Sequence, residues 1–371
     1  MPDKYIGKVH RITIKGYKSI KSIDLELKPV NILIGANGAG KSNFIKFFEI
    51  IQKIVDKNLQ LYAAQLGGAN KIFYFGRKVT QELYFKLYFP PNAYEALLAA
   101  DETDNFFFKK EIVQFFPDDI NYSGEVKTED LKNDGGRESK LLSPLGGSKG
   151  WFIHNYIKGW QVYHFHDTSA SSPLKQATNI NNYFSLTKDG GNLPAFLRYI
   201  RDYHENNYIE IVKTVQRVAP FFYDFILEPE LNNKEMIRLK WKHIGNPDYF
   251  DVSDLSDGTL RFICIATLLL QPQLPSVIII DEPELGLHPF ALQLVAGLFA
   301  SVSKESQVIA STQSPVFADY FNAEDVIAVD FKDNASIFKR LDKKELESWL
   351  EDFGVGELWQ KNLVGGMPNY E

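Results

Sequence analysis

Apolar and polar residues alternate over short stretches at the start of the chain. Residues 9–14 and 22–27 alternate with period two, which predicts half-buried β-strands. Residues 30–34 form a mostly apolar run that stops at a glycine, which predicts a buried central strand. From residue 42 to 55 the apolar side chains recur every three or four positions. A helix is therefore predicted directly after that strand.

The same patterns extend over the rest of the chain. Residues 71–140 favour further strands and loops, with a strand at 83–89 and a polar, glycine-bearing loop at 127–140. Later helices are predicted at 193–218 and 288–302, and later strands at 277–280, 307–311, 326–329 and 336–338. The sequence has no internal repeat and no long heptad pattern, so we expect no extended coiled-coil arm. The mixture of buried strands and helices predicts an α/β protein.

Composition narrows the class of protein. The 371 residues are 44% hydrophobic, which is enough for one large domain or two lobes. The net charge of −6 argues against a surface that binds polyanions everywhere, although a local basic groove stays open. A single cysteine, Cys264, excludes a disulfide framework and a multi-cysteine zinc site. We find no apolar run of about 18 residues and no signal peptide, so we expect a cytoplasmic protein without a membrane partner.

The loop between the first buried strand and its helix fits the pattern G-x-x-x-x-G-K-[ST]. Its residues are Gly35, Ala36, Asn37, Gly38, Ala39, Gly40, Lys41 and Ser42. The glycines let backbone N–H groups face phosphate oxygens, and the helix directs its positive N-terminus at the same place. Lys41 is predicted to reach the β- and γ-phosphates of ATP, and Ser42 to bind Mg²⁺. The alternative is a glycine-rich turn that binds nothing.

The predicted strand at 277–280 leads into two acidic residues, Asp281 and Glu282. Two carboxylates at the end of a buried strand are costly unless a cation lies nearby. Asp281 is predicted to hold Mg²⁺ and Glu282 to polarise the attacking water. The alternative is an ordinary solvated acidic turn, but the presence of the phosphate loop favours one nucleotide site whose halves are separated by a long insertion.

Three residues, Ser256, Asp257 and Gly258, stand just before a predicted helix and ahead of the acidic strand. A serine there is a good N-cap, and glycine permits close backbone approach, so an ordinary helix cap is the alternative. Their place between the phosphate loop and the acid pair resembles the Leu-Ser-Gly-Gly signature of ABC-type ATPases. Asp257 replaces a glycine at a position that varies in the branch with recombination-protein F, the structural-maintenance-of-chromosomes (SMC) proteins and the OLD-type nucleases.

The resemblance covers residues 5–56 and 250–330, and it extends through 281–289, which are similar to the second acidic motif and D-loop of that branch. It implies that Ser256, Asp257 and Gly258 act in trans on ATP bound by a second copy, in a head-to-tail homodimer. It also implies that Lys18, in a strand-turn similar to the opening of that branch, approaches the nucleotide. A solvated surface lysine is the alternative for Lys18.

Two segments depart from the family pattern. Gln313 stands where the family has a histidine that senses the γ-phosphate, and its amide can still donate and accept hydrogen bonds. The alternative is a polar strand end. The second segment, 162–169, contains His164 and His166. It is open to three readings: a linker to a helical lobe, with Gln161 or Gln65 in place of the usual glutamine, strand packing, or the start of a metal site.

The expected architecture is an ABC-ATPase head with a mixed central sheet, a β-rich edge and an inserted helical lobe. We expect residues 1–60 and 250–371 to form the nucleotide-binding core. The insertion at 61–250 is expected to have a β-rich part at about 61–167 and a helical lobe at about 168–250.

The expected activity is Mg²⁺-dependent ATP hydrolysis in a regulatory switch of DNA-related processes or anti-phage defence. The chain would act with a separate effector, a nuclease or a toxin, and DNA or RNA is a further possible partner. Too few residues follow Ser314 for a nuclease domain, and no Asp-x-Asp occurs in the sequence, so we expect no nuclease in this chain. The alternatives are the nucleotide-binding subunit of a membrane transporter and a small-molecule kinase.

Overall fold

The computed structural model describes residues 7–116 and 126–367. The chain divides into two compact units. The first unit comprises Met1–Val162, Pro275–Ile279 and Ser303–Glu371, and the second comprises Tyr163–Leu274 and Ile280–Val302. The phosphate loop therefore belongs to the first unit, and the signature segment belongs to the second. The segment boundaries expected from the sequence stay a prediction.

The described residues contain seventeen strands and ten α-helices. The strands are β1 (Arg11–Tyr17), β2 (Ile20–Glu26), β3 (Val30–Ile34), β4 (Glu82–Phe89), β5 (Asn92–Ala100), β6 (Phe106–Phe115), β7 (Lys127–Asp130), β8 (Trp160–Tyr163), β9 (Thr178–Asn179), β10 (Phe222–Ile226), β11 (Met236–Ile237), β12 (Lys240–His243), β13 (Tyr249–Asp251), β14 (Val277–Asp281), β15 (Gln307–Thr312), β16 (Val326–Lys332) and β17 (Ala335–Arg340). The helices are α1 (Lys41–Val55), α2 (Leu59–Gln65), α3 (Gly147–Lys158), α4 (Leu193–Tyr203), α5 (Glu205–Val218), α6 (Asp257–Leu270), α7 (Pro289–Val302), α8 (Pro315–Ala318), α9 (Glu347–Leu350) and α10 (Val355–Gln360).

Two six-stranded sheets organise the first unit. One is antiparallel throughout, in the order β2-β1-β4-β5-β6-β7. The other has the order β17-β16-β3-β15-β14-β8 and is mixed, because β15 and β16 run parallel to β3 while β17 runs antiparallel to β16. The ends of β8 and β14 belong to the second unit. The predicted α/β class with a mixed central sheet is confirmed.

Helix α1 connects the two sheets through its aromatic side chains. The ring of Phe47 packs edge-on against Tyr17 of β1, in the antiparallel sheet. Phe48 packs against Trp160 of β8 in the mixed sheet, and Phe44 packs against a second ring there. All three phenylalanines are fully buried, and burying one such side chain contributes about 1.5–3 kcal/mol. The helix that follows the phosphate loop is therefore fixed on both sides.

The end of α1 follows from local geometry. Lys57 adopts a left-handed backbone conformation, and the N–H of Asn58 donates to the carbonyl of Lys53. The N–H of Lys57 donates to the carbonyl of Ile54. This Schellman pattern satisfies carbonyl groups that have no partner within the helix. The helix predicted for residues 42–55 thus extends over Lys41–Val55.

The second unit is built around α6, which is apolar on nearly all sides and packs with α5 and α7. A helix with this pattern has to be covered on most of its surface. Cys264 lies at its centre and is fully buried. The unit also contains a three-stranded sheet, in the order β10-β12-β13, and the two-stranded pair β11-β9.

One predicted loop is wrong in part. Lys127–Asp130 forms β7, which pairs with β6 although the segment is polar. The residues that follow are held by the buried carboxylate of Glu111, which accepts hydrogen bonds from Asn133 Nδ2 (2.6 Å), Ser139 Oγ (2.6 Å) and the backbone N–H of Lys140 (2.9 Å). The hydrogen bonds to the buried carboxyl group of Glu111 therefore order this segment, although its polar composition is typical of an irregular loop.

Candidate nucleotide-binding site

The phosphate loop leaves β3, all five residues of which are buried, and leads directly into α1. Gly38 and Gly40 have positive φ angles of 80° and 114°, a region that favours glycine. A Cβ atom on Gly40 would overlap the hydroxyl of Ser336, whereas a Cβ on Gly38 would meet open space. Gly40 is therefore required by both backbone conformation and packing, and Gly38 by backbone conformation alone.

Lys41 is the first residue of α1, and only 4% of it is exposed. Its Nζ donates hydrogen bonds to the backbone carbonyls of Gly35 (2.5 Å) and Ala36 (3.1 Å). The ammonium group is thus held over the loop, beside the positive end of the helix dipole. Ser42 follows in the first helical turn and is partly exposed. The loop combines a cation, a hydroxyl group and helix N–H groups, which together suit a phosphate chain.

Lys18 lies in the tight turn between β1 and β2 and has a left-handed backbone conformation, with φ 45°. Its Nζ is 5.7 Å from the centre of the Tyr17 ring. Burial, together with the charge of Lys46 on α1, lowers the pKa of the Lys18 ammonium. The next residue, Ser19, accepts hydrogen bonds at Oγ from Asn43 Nδ2 (2.8 Å) and from Ser336 Oγ (2.7 Å). The turn that carries Lys18 is therefore tied to the start of α1.

Gln313 directly follows β15. Because β15 pairs with β3 in parallel register, with Thr312 opposite Ile34, Gln313 and Gly35 leave neighbouring strands at the same edge of the sheet. Gln313 is exposed, and Ser314 caps α8 by accepting the N–H of Phe317 (3.2 Å). The predicted sensor residue and the phosphate loop are thus brought together within the first unit.

The acid pair lies where β14 ends. Asp281 is 7% exposed, and its backbone carbonyl is 2.7 Å from His166 Nε2. Since a carbonyl can only accept, His166 Nε2 is the donor and carries the proton. Glu282 adopts a left-handed backbone conformation with φ 46°, which non-glycine residues rarely adopt. Backbone strain of this kind concentrates at functional sites.

His164 and His166 do not lie on a strand, because β8 ends at Tyr163 and residues 164–168 are irregular. The metal reading requires both side chains on one face of a strand, and this requirement is not met. Within residues 7–116 and 126–367, no group of three or more histidine, cysteine or acidic side chains could hold a metal ion. His166 instead joins this segment to the acid pair.

The signature residues begin α6. Ser256 caps the helix by accepting the backbone N–H of Thr259 at 3.2 Å, and Asp257 pairs with Lys175 at 3.3 Å. Ser256 and Asp257 are exposed. A Cβ on Gly258 would overlap the carbonyl oxygen of Gly286, in the loop after the acid pair. Gly258 therefore lets the signature helix approach that loop within one chain.

Arg261 is the residue that pattern analysis missed. Its guanidinium donates to the carbonyls of Phe165 (3.1 Å), His166 (2.7 Å) and Leu285 (3.1 Å). One side chain thus joins the signature helix to the segment that contacts Asp281 and to the loop after Glu282. Its position in the first turns of the signature helix was the only signal in the sequence, because its partners lie far away along the chain.

The residues present fit a nucleotide with Mg²⁺. Gly35, Gly38 and Gly40 keep side chains out of the loop, and Lys41 supplies the positive charge. The hydroxyl of Ser42 is a hard oxygen donor of the kind that Mg²⁺ prefers, and the carboxylate of Asp281 is a donor of the same kind within its own unit.

The mixed sheet and the phosphate loop define a P-loop ATPase with the head fold of the SMC kind. Two of the solved structures that share this fold are an Smc head bound to the C-winged helix domain of ScpA, and an Smc head domain with an extended coiled coil bound to the C-terminal domain of ScpA from Pyrococcus furiosus. The first is 17% identical with a TM-score of 0.55, and covers 92% of this chain and 99% of its own. The second is 17% identical with a TM-score of 0.51, and covers 93% of this chain and 98% of its own.

The family of the chain is defined by its sequence. Residues 30–319 match the family described as "AAA domain, putative AbiEii toxin, Type IV TA system", and the chain belongs to that family. None of the curated proteins matches it. In the described parts of the chain, no helix is long and apolar enough to cross a membrane.

Proposed function

We propose that this protein hydrolyses ATP with Mg²⁺ and that the ATP site of each chain is completed by a second copy of the chain. The observation that carries the proposal is the phosphate loop. Its glycines are required by conformation and packing, and Lys41 is held over it at the start of a buried helix. A glycine-rich turn without a ligand gives no reason to bury a lysine in this position.

Each candidate residue has a defined task in this proposal. Lys41 would bind the β- and γ-phosphates, and Ser42 and Asp281 would hold Mg²⁺. The cation would neutralise charge on the phosphate oxygens when bound. Glu282 would orient the attacking water and accept its proton. Gln313, directly after β15, would sense the γ-phosphate through its amide.

The exposed signature residues support the proposed dimer. Ser256 and Asp257 are exposed at the start of a 14-residue helix, where N–H groups favour an anion. In the ABC-type ATPases that this chain resembles, these positions contact the γ-phosphate bound by the other subunit. Ser256, Asp257 and Gly258 would therefore act in trans, and ATP would close a head-to-tail homodimer.

We further propose a regulatory role in anti-phage defence or DNA-related processes, in which dimer closure controls a separate effector. The description of the family, which names a toxin and a toxin–antitoxin system, supports the link to a toxin. Both similar Smc heads were solved with a bound domain of ScpA, so this fold suits docking of a second protein. These similarities favour a regulatory ATPase over a transporter subunit.

Replacing Glu282 by glutamine tests the proposed activity. The variant should bind ATP as the wild type does but hydrolyse it at least about 100-fold more slowly, since only the water-orienting carboxylate is lost. It should also accumulate as an ATP-dependent dimer in light scattering. Glu305→Gln, the same change at an exposed position, is the matched control. Phosphate release by Glu282→Gln at the wild-type rate would show that this residue has another role.

A further inference from the structure

A short segment of the first unit contacts both α8, which follows Gln313, and the phosphate loop. It comprises Gly354–Gly366, that is α10 and the turn after it, and we call it the clamp segment. Val355, Leu358 and Trp359 are buried, so their packing fixes this segment in the first unit.

The first end of the clamp segment is fixed beside the sensor. The backbone N–H of Gly356 donates to Asp319 Oδ1 at 2.6 Å, just after α8. A Cβ on Gly356 would overlap the carbonyl oxygen of Pro315, the first residue of α8. Pro315 is only two residues beyond Gln313. The close approach of α10 therefore fixes the backbone that follows the predicted γ-phosphate sensor.

The other end is fixed beside the phosphate loop. The backbone N–H of Gly366 donates to Asp330 Oδ1 at 2.5 Å, on β16. A Cβ on Gly366 would lie 3.2 Å from the Cα of Gly35, closer than most side chains pack, and 3.1 Å from Trp359 Nε1. A Cβ on Gly35 would in turn overlap the carbonyl oxygen of Val329. The first glycine of the phosphate loop is thus packed against backbone from two other segments.

The side chain of Trp359 adds a polar group at this place. It is 4% exposed, and within the described residues its Nε1 has no hydrogen-bond partner. A buried N–H without an acceptor costs free energy, so its position beside Gly366 has to be compensated by the packing of the whole segment.

We propose that the clamp segment is a positioning element of the nucleotide site. It holds the phosphate loop in place through Gly366, and it holds the backbone after Gln313 in place through Gly356. This inference rests on the proposed function, because it requires the loop to bind a nucleotide. The segment touches the site at two points, so a change at each end has a separate effect. Displacing Gly35 weakens nucleotide binding, whereas displacing Pro315 slows turnover.

Gly366→Ala tests the first contact. The added methyl group pushes on Gly35, and we expect the Kd for a fluorescent, non-hydrolysable ATP analogue to rise roughly tenfold, the scale on which misplaced binding groups act. Gly366 also has a positive φ of 82°, so the change strains its own backbone. The matched control is Gly245→Ala, which has a φ of 78° and open space at its Cβ. Leu363→Ala, an exposed change inside the clamp segment, is the second control.

Two more variants keep the result interpretable. Asp330→Ala removes the acceptor of the Gly366 N–H without adding bulk, and its Kd should rise in the same direction even if Gly366→Ala does not fold. Gly356→Ala should lower kcat more than it raises Kd. Kd and kcat are compared only for variants that keep the circular-dichroism spectrum of the wild type, which Asp330→Ala and Gly356→Ala should do.

The outcomes separate the two proposals. A wild-type protein that binds no nucleotide overturns the proposed function, and the clamp with it. If the wild type binds but folded Gly366→Ala and Asp330→Ala bind equally well, only the clamp is wrong. The clamp is also wrong if Gly245→Ala loses as much affinity as Gly366→Ala.

Discussion

Two residues of the signature motif have structural roles in their own chain in addition to the roles that the motif implies. Gly258 belongs to the signature that resembles the trans-acting motif of ABC-type ATPases, yet it also packs on the Gly286 carbonyl of its own chain. Ser256 similarly caps α6 in addition to its proposed role in trans. Loss of activity in a signature variant therefore has two possible causes, and stability has to be measured separately.

We predict that Gly258→Ala lowers the free energy of unfolding by about 1–3 kcal/mol, since its Cβ forces the backbone of the Gly286 loop to move. Gly297→Ala is the control, because this exposed glycine in α7 has open space at its Cβ, and the change should stabilise slightly. Urea unfolding of both variants measures the difference. Equal stability of Gly258→Ala and the wild type would show that the loop moves aside at no cost.

Among the helices and strands, the sequence predicted those whose formation depends on residues that are neighbours along the chain. The strand at 30–34 was predicted from its mostly apolar run, since it is buried on both faces, and the helix after it from the recurrence of apolar residues on its buried face. Helix α3 was not predicted, and the role of Arg261 was missed because it depends on carbonyls distant along the chain. The placement of Gln313 beside Gly35 follows from strand register, which a single sequence does not define.

Arg261 gives a prediction at this scale. Arg261→Ala should lower the free energy of unfolding by about 3 kcal/mol, because hydrogen bonds from one charged group to several carbonyls are lost together. Arg261→Lys should restore little, since a lysine cannot reach carbonyls in several directions. Arg217→Ala, an exposed change in α5, is the control.

The rate at which Cys264 reacts with thiol reagents is a second measure of the stability lost in Arg261→Ala. It is the single cysteine, it lies buried in α6, and burial raises the pKa of its thiol, so the native protein should react slowly with thiol reagents. Arg261→Ala should label faster than the wild type at the same denaturant concentration. Identical labelling and unfolding curves would show that Arg261 does not join these elements.

For the whole molecule, the residues proposed to act on ATP are distributed over both units of the chain, and in the proposed dimer over two chains. The phosphate loop and Gln313 belong to the first unit, and the acid pair and the signature belong to the second. In the proposed dimer, the loop of one chain and the signature of the other form each site. A lesion in the loop and a lesion in the signature therefore complement each other only when they are in different chains.

Mixing two inactive variants tests this arrangement most directly. Ser256→Arg places a bulky cation at the proposed contact with the partner's γ-phosphate, and Lys41→Ala removes the phosphate-binding lysine. In a mixed dimer, one site carries both lesions and the other carries neither.

Ser253→Arg, at an exposed serine just before the signature, controls for the added charge and should stay active. The measurement is ATP hydrolysis by each variant alone and by the two together, with mixed dimers confirmed by differently tagged chains. We predict almost no hydrolysis by either variant alone and recovery of up to about half the wild-type rate per mixed dimer, because one of the two sites is intact. Confirmed mixed dimers that remain inactive would contradict sites shared between two copies of the chain.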